Sequence, residues 1–144
     1  MQKKTFLTLL PPAILALLTI YWTVIRLVLP EVTLRINGYD PRSLLSGHYL
    51  SYTIDWKMSD CGQFAGGACP VKQFDDAAEH LFSNEIRYRY YIPEEYAAQL
   101  DKMFAENPDG PYVFEMVFAY SPYFTPRAKK FLINRQDWQH FVRG

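Results

Sequence analysis

Acidic side chains are missing from the first thirty residues of this chain: the first of its fifteen carboxylates is Glu31. Charge of either sign is missing from Phe6 to Ile25, "FLTLLPPAILALLTIYWTVI". A helix of that length just crosses a hydrocarbon core of about 30 Å. The polar stripe of a buried core helix is absent too, and so is a small-x-small cleavage site between Leu27 and Glu31. The first absence argues against a globular helix, and the second favours an uncleaved signal-anchor over a removed signal peptide. Lys3 and Lys4 precede the run, which puts the N-terminus in the cytoplasm, with Arg26 at the far end as a contrary charge. Pro11 and Pro12 are expected to kink the helix or to mark its effective start. The expected organisation is a cytoplasmic tip and transmembrane helix over residues 1–30, then an extracytoplasmic domain over 31–144.

Other absences narrow the function. After Pro30 the chain carries 12 basic and 15 acidic side chains, a net of −3, with no clustered basic face, which excludes nucleic acid as a partner. The three histidines are far apart, with no H-x-H or H-x-x-H pair. No metal centre and no cofactor are expected. His48, at the head of a strand, reads as a surface or cap residue before it reads as a metal ligand or switch. No G-x-S-x-G elbow is present. Ser43 and Ser46, with His48 or Lys57 as a base, are the candidates for a serine hydrolase, and serines in Pro/Gly turns are mostly turn-formers. Asp75 and Asp76 are adjacent, so their carboxylates diverge and read as a solvated face. Cysteine is scarce, with Cys61 and Cys69 in "CGQFAGGAC". In an oxidising compartment such a pair most simply forms a disulfide, and the three glycines let the loop close. Free thiols and a zinc site recruiting His80 are the rival readings.

What is abundant is aromatic: ten Phe, eleven Tyr and three Trp, which suits pleated faces that accept wide rings. Val32–Ile36 alternates as a strand and "NGYDP" turns. From His48 to Trp56, Leu50, Tyr52, Ile54 and Trp56 share one face. The irregular stretch 57–84 holds the Cys loop and "FDDAAEHLF", a short helical turn with Ala77, Ala78 and Leu81 inward. Glu85–Ile92 is a third strand, with Ile86, Tyr88 and Tyr90 on one face and Arg87, Arg89 and Tyr91 on the other. Pro93 opens a helix in which Tyr96, Leu100, Met103 and Phe104 recur at helical spacing, until "NPDGP" stops it. Tyr112–Tyr120 alternates aromatics that read first as core and second as a groove for a peptide or glycan. "SPYFTPR" reads as a loop, Lys129–Ile133 as a fifth strand, and "NRQDWQHFVRG" as a terminal turn or a short helix capped by Asn134. The whole reads as α+β: an N-terminal transmembrane helix followed by a small, mainly antiparallel β domain with one or two helices. Arg87, Arg89 and Tyr91 form a candidate binding surface, able to build a cation–π ladder.

The run "DPRSLLSGHYLSY" resembles the signature of the GDYXXLXY-domain family of membrane-anchored bacterial proteins, through Asp40, Pro41, Arg42, Leu44 (or Leu45), Gly47 and Tyr49. "RYYIPEEYAAQLDK" and "FLINRQDWQHFV" are similar to the family's later strand–helix and closing elements. His48 replaces the family's Asp, Tyr52 falls one place short of its Leu, and Ile54 stands where a Tyr is usual. The same run has a fainter likeness to signal peptidase I, with Gly38 in place of the nucleophilic Ser, so a working Ser-Lys protease is not expected. The resemblance implies an inner-membrane protein with its C-terminal domain in the periplasm and no defined biochemical activity. Its expected partners are the membrane, through a single span, and another protein of the envelope. An inactive relative of an envelope hydrolase is the second reading.

Overall fold

The computed structural model describes residues 2–38, 49–80, 86–107 and 110–143, without the side chains of 2–9, 26, 79, 80, 86 and 87. The chain divides into two compact units, Met1–Pro30 and Glu31–Gly144.

The first unit is the helix α1, Gln2–Val28, which runs unbroken through Pro11 and Pro12. Neither proline marks its start. Apolar side chains are exposed all round it, including Leu15, Leu17, Ile20, Val24 and Leu27. The expected transmembrane span is not met among the described residues, where no helix is long and apolar enough to cross a membrane. The unbroken stretch of described side chains, Leu10–Ile25, is about 24 Å long at the helical rise of ~1.5 Å per residue. Two prolines, Thr19, Tyr21, Trp22 and Thr23 dilute it further.

The second unit is a seven-stranded antiparallel sheet with helices beside it. Its strands are β1 Glu31–Gly38, β2 Tyr49–Ile54, β3 Glu79–His80, β4 Ile86–Tyr91, β5 Phe114–Ser121, β6 Phe124–Ile133 and β7 Gln136–Asp137. Their order is β3-β4-β2-β1-β5-β6-β7. Both outermost strands are two residues long and cover only Ile86–Arg87 of β4 and Leu132–Ile133 of β6.

Alternation decides which way each strand faces. Val32, Leu34 and Ile36 of β1 are buried, and they stand opposite Phe118 and Met116 of β5 and Ile54 of β2. Leu50 and Tyr52 lie opposite Tyr90 and Tyr88. The helix α3, Glu94–Ala105, covers one end of this face with fully buried Leu100 and with Phe104. The Phe104 ring stacks 4.0 Å from that of Phe114. The other end is covered by the stretch between β2 and β3, which carries the shorter helix α2, Val71–Asp75. Phe74, fully buried, meets Trp56, Phe64, Phe118 and Tyr120 there. The even-numbered aromatics of β5 are therefore core, the first of the two readings.

Three local expectations are corrected. The short helix, Val71–Asp75, overlaps "FDDAAEHLF" only at Phe74 and Asp75 and turns Phe74 fully inward, because an aromatic ring offers far more apolar area than the half-buried Ala77 and Ala78; Leu81 is outside the described residues. β6 starts at Phe124, not Lys129, so the turn is only Pro122–Tyr123. Two prolines made this stretch read as a loop. Register shifts between Val117 and Phe118 and between Ala119 and Ser121 accommodate Pro126 at an irregular part of the ladder, where its missing N–H costs no bond. Asn134 caps no helix: Asn134 and Arg135 have φ of 52° and 65°, the left-handed pair of a tight hairpin between β6 and β7. The last helix, α4 Gln139–Val142, instead receives Asp137, whose Oδ1 accepts from the Gln139 N–H at 3.0 Å.

Candidate functional site

Helices cover the face that carries Leu34 and Tyr52. The opposite face is left more open around the middle of β1. Its centre is Arg35, which pairs across the ladder with Glu115, itself opposite Leu132 of β6. An open basin of about 780 Å³ lies here, lined by Arg35, Met58, Asp60, Glu115, Leu132 and Arg135, among others.

The rim of the basin is built by the chain after β2. Asp55 closes that strand by accepting from the Lys57 and Met58 N–H groups at 3.1 and 3.2 Å. This is a side-chain turn of the kind Asp favours. Over the first half of β1, β2 has diverged and no strand replaces it. Ser59 Oγ accepts from the Arg35 N–H at 3.0 Å. The Gln63 carboxamide accepts from the Thr33 N–H and donates to the Thr33 carbonyl, both at 2.8 Å. Gln63 thus imitates one residue of a strand and satisfies a backbone edge that would otherwise be bare. It is held by a 2.7 Å bond to the Asp60 carbonyl and by the short 3-10 turn Cys61–Gln63. Cys61 and Cys69 stand in disulfide geometry with Cα atoms 4.9 Å apart, as the composition of the loop suggested.

This face carries charges of both signs. Arg35, Lys130 and Arg135 stand on it with Arg89, which strand register puts on the same side as Ser51. Against them is the Glu115 carboxylate, whose Oε2 is buried with no hydrogen-bond partner among the described residues. Next to Arg89, exposed Tyr91 lies directly opposite exposed Tyr49, and their rings meet edge to face at 6.0 Å. Asp60 also lines the basin, and Asp55 and Glu31 stand toward the two ends of β1, so cations and carboxylates are interspersed on this side of the sheet.

The sequence-derived candidates divide accordingly. Tyr49, Arg89 and Tyr91 come together on the open face. Arg87 belongs to the same strand, and its side chain is outside the described residues, as is that of His80. Asp40, Pro41, Arg42, Leu44, Gly47 and His48 lie wholly outside the described residues, with Ser43 and Ser46. Lys57 is exposed at the Asp55 turn. Of the adjacent carboxylates, Asp75 accepts from the Tyr88 hydroxyl at 3.4 Å and Asp76 is exposed, so they do diverge. No group of three metal-ligating side chains occurs among the described residues. Sequence reasoning missed Arg35, Gln63, Glu115 and Arg135. "NR" after a strand was the one available signal, being a dipeptide suited to a left-handed turn.

On the core side, burial raises the phenols of Tyr52, Tyr88 and Tyr90 above their ordinary 10.0. The neighbouring Tyr88 and Tyr90 add to the effect at Tyr52, Asp75 adds to it at Tyr88, and Asp137 at Tyr90. Tyr52 and Tyr88 stack at 5.5 Å. These rings are packing elements.

The class defined by these features is an α+β domain with an antiparallel sheet covered by helices mainly on one side, preceded by a separate apolar helix. No protein-family profile, no curated protein and no solved structure matches the chain.

Proposed function

We propose that this chain is a membrane-tethered, non-enzymatic binding module of the bacterial envelope. In this reading α1 anchors it in the inner membrane, and the open, arginine- and tyrosine-bearing face of the sheet engages an extended segment of an envelope protein. The carrying observation is the gathering of arginines and exposed tyrosines on that face. Arg35, Arg89, Lys130 and Arg135 gather there in a domain whose net charge is negative, beside the exposed Tyr49–Tyr91 pair. Arginine and tyrosine are the residue types that give interfaces their binding energy, because they combine wide contact area with directed hydrogen bonds.

Three features support the anchor. The complete helix has 27 residues, about 40 Å at the helical rise, longer than its described side chains. Its two central hydroxyls are satisfied internally: Thr19 Oγ1 donates to the Ala16 carbonyl at 2.8 Å and Thr23 Oγ1 to the Thr19 carbonyl at 2.7 Å. A lipid environment demands this of every polar group. Tyr21 and Trp22 lie toward the C-terminal end, as in the aromatic belts of membrane interfaces. The disulfide fits an oxidising compartment, and the GDYXXLXY resemblance is in keeping with the same location.

A photo-crosslinking amino acid at position 91, compared with one at exposed Ala98 on α3, tests the binding face in intact cells. Position 91 is expected to give one discrete adduct that the charge reversal Arg35→Glu abolishes, while position 98 gives none. Equal labelling from both positions, or an adduct indifferent to Arg35→Glu, would overturn the assignment. Resistance of the chain to alkaline carbonate extraction tests the anchor separately.

A further inference from the structure

The anchor is joined to the sheet by two residues, Leu29 and Pro30, between the end of α1 at Val28 and the start of β1 at Glu31. Two residues reach no more than about 10 Å. Whatever the angle between the two units, Glu31 stays within that distance of the helix end.

Register shows what else lies at this end of the sheet. Glu31 is opposite Ala119, and β5 continues to Ser121 before turning at Pro122–Tyr123. The hairpin tip therefore extends about three to four residues past Glu31, roughly 10 Å at the strand rise, toward the side from which the chain enters. At this tip Tyr123 is 87% exposed, the most exposed large hydrophobic residue among the described residues.

The tip is built, not frayed. Gln73 Nε2 on α2 donates to the Ser121 carbonyl at 2.8 Å and to the Phe124 carbonyl at 2.9 Å, bridging both arms of the hairpin. Ser121 Oγ accepts from the Tyr123 N–H at 3.3 Å. An open groove of about 670 Å³ separates the tip from α2, lined by Pro70, Val71, Lys72, Asp76, Pro122 and Tyr123, among others. Exposed Arg127 follows on β6 opposite Ala119, and Lys129 is bonded to Glu31 at 3.2 Å. An exposed ring with cations on either side is the pattern of groups that rest at a bilayer surface: the ring takes the headgroup level and the cations attract anionic lipid.

We infer that the β5–β6 hairpin tip is a second membrane-contact point, in which Tyr123 enters the headgroup layer of an anionic phospholipid surface and Lys72 and Arg127 lie over it. The inference rests on the anchor reading above. The headgroup layer is about 5–8 Å deep on each side, a depth comparable with the length by which the tip extends past Glu31. Lipid contact at this point would fix the orientation of the domain and turn its open face in a constant direction.

Both native cysteines are bonded to each other, so Tyr123→Cys supplies a single free thiol for a nitroxide label. The full chain is reconstituted into phosphatidylcholine vesicles containing about 30% phosphatidylglycerol, an anionic surface. Leu15→Cys and Ala98→Cys, labelled in separate samples, report on the anchor and on the aqueous face of α3. Accessibility to oxygen relative to a water-soluble nickel chelate is then measured by electron paramagnetic resonance. The expected ratio is at least about threefold higher at position 123 than at position 98, given headgroup-level burial. Lys72→Glu with Arg127→Glu is expected to bring it down toward the aqueous value. A high ratio at 15 with equal ratios at 123 and 98 would overturn the inference while leaving the anchor standing. An aqueous ratio at 15 would overturn the anchor itself and the inference with it.

Discussion

Gln63 occupies a position where a strand would otherwise be needed. Its one carboxamide meets both the N–H and the carbonyl of Thr33, so Gln63→Ala removes two hydrogen bonds at once. Because the residue is exposed and water can replace part of the loss, the expected cost is about 1 kcal/mol. The denaturation midpoint measures it, and faster hydrogen exchange at the Thr33 amide identifies its source. Gly38 at the end of β1 is a second sensitive position. A Cβ there would run into the Phe104 ring, which packs against both Phe114 and Phe131. Gly38→Ala is expected to cost about 1–3 kcal/mol through overpacking; a variant of unchanged stability would mean that the ring can leave its stack.

Among the elements, the stretch between β2 and β3 has the least regular backbone and depends most on one side chain and one cross-link. Phe74→Ala would leave a cavity among Trp56, Phe64, Phe118 and Tyr120. A loss of about 3–5 kcal/mol is expected. Removing the disulfide, as Cys61→Ser with Cys69→Ser, frees a loop closed over a separation of eight residues. The chain-entropy estimate for so short a loop is about 2.5 kcal/mol. Thermal melting of the reduced and oxidised protein measures this. If the loop staples the rim as argued, reduction should also release the Gln63 bonds and raise exchange at Thr33, so the two effects should not add.

Among the described residues three phenols have raised pKa values: Tyr52 and Tyr88, which are buried, and Tyr90, which is half-buried. The sign follows from proton binding: above the ordinary value of 10.0 the unfolded chain releases protons that the folded one still holds. The stability these groups contribute is thus complete below pH about 10 and is lost as pH rises toward their folded values. Melting temperature is expected to be flat across neutral pH in this respect and to fall steeply above pH about 10. Tyrosinate absorbance should show Tyr52, Tyr88 and Tyr90 ionising only with unfolding. One simple titration of all the tyrosines in a still-folded protein would contradict the burial described for them.

Much of the fold was legible in advance because its signals are local. Alternation at Leu50, Tyr52 and Ile54, helical spacing at Leu100, Met103 and Phe104, and the pairing of two cysteines across a glycine-rich loop all follow from chain geometry at short range. Arg89 and Tyr91 could be assigned to one side of a strand for the same reason. Tertiary structure alone decided which strands became neighbours, and hence that Arg35 stands beside Glu115 and Tyr49 beside Tyr91. It also decided that Gln63 would complete β1 from thirty residues away, that Pro126 would be tolerated within β6, and that the Tyr123 tip would overshoot the end at which the chain enters the sheet. These are properties of register between segments remote in sequence. Register is set by how whole faces bury against one another, a sum over many side chains that no short window of residues contains.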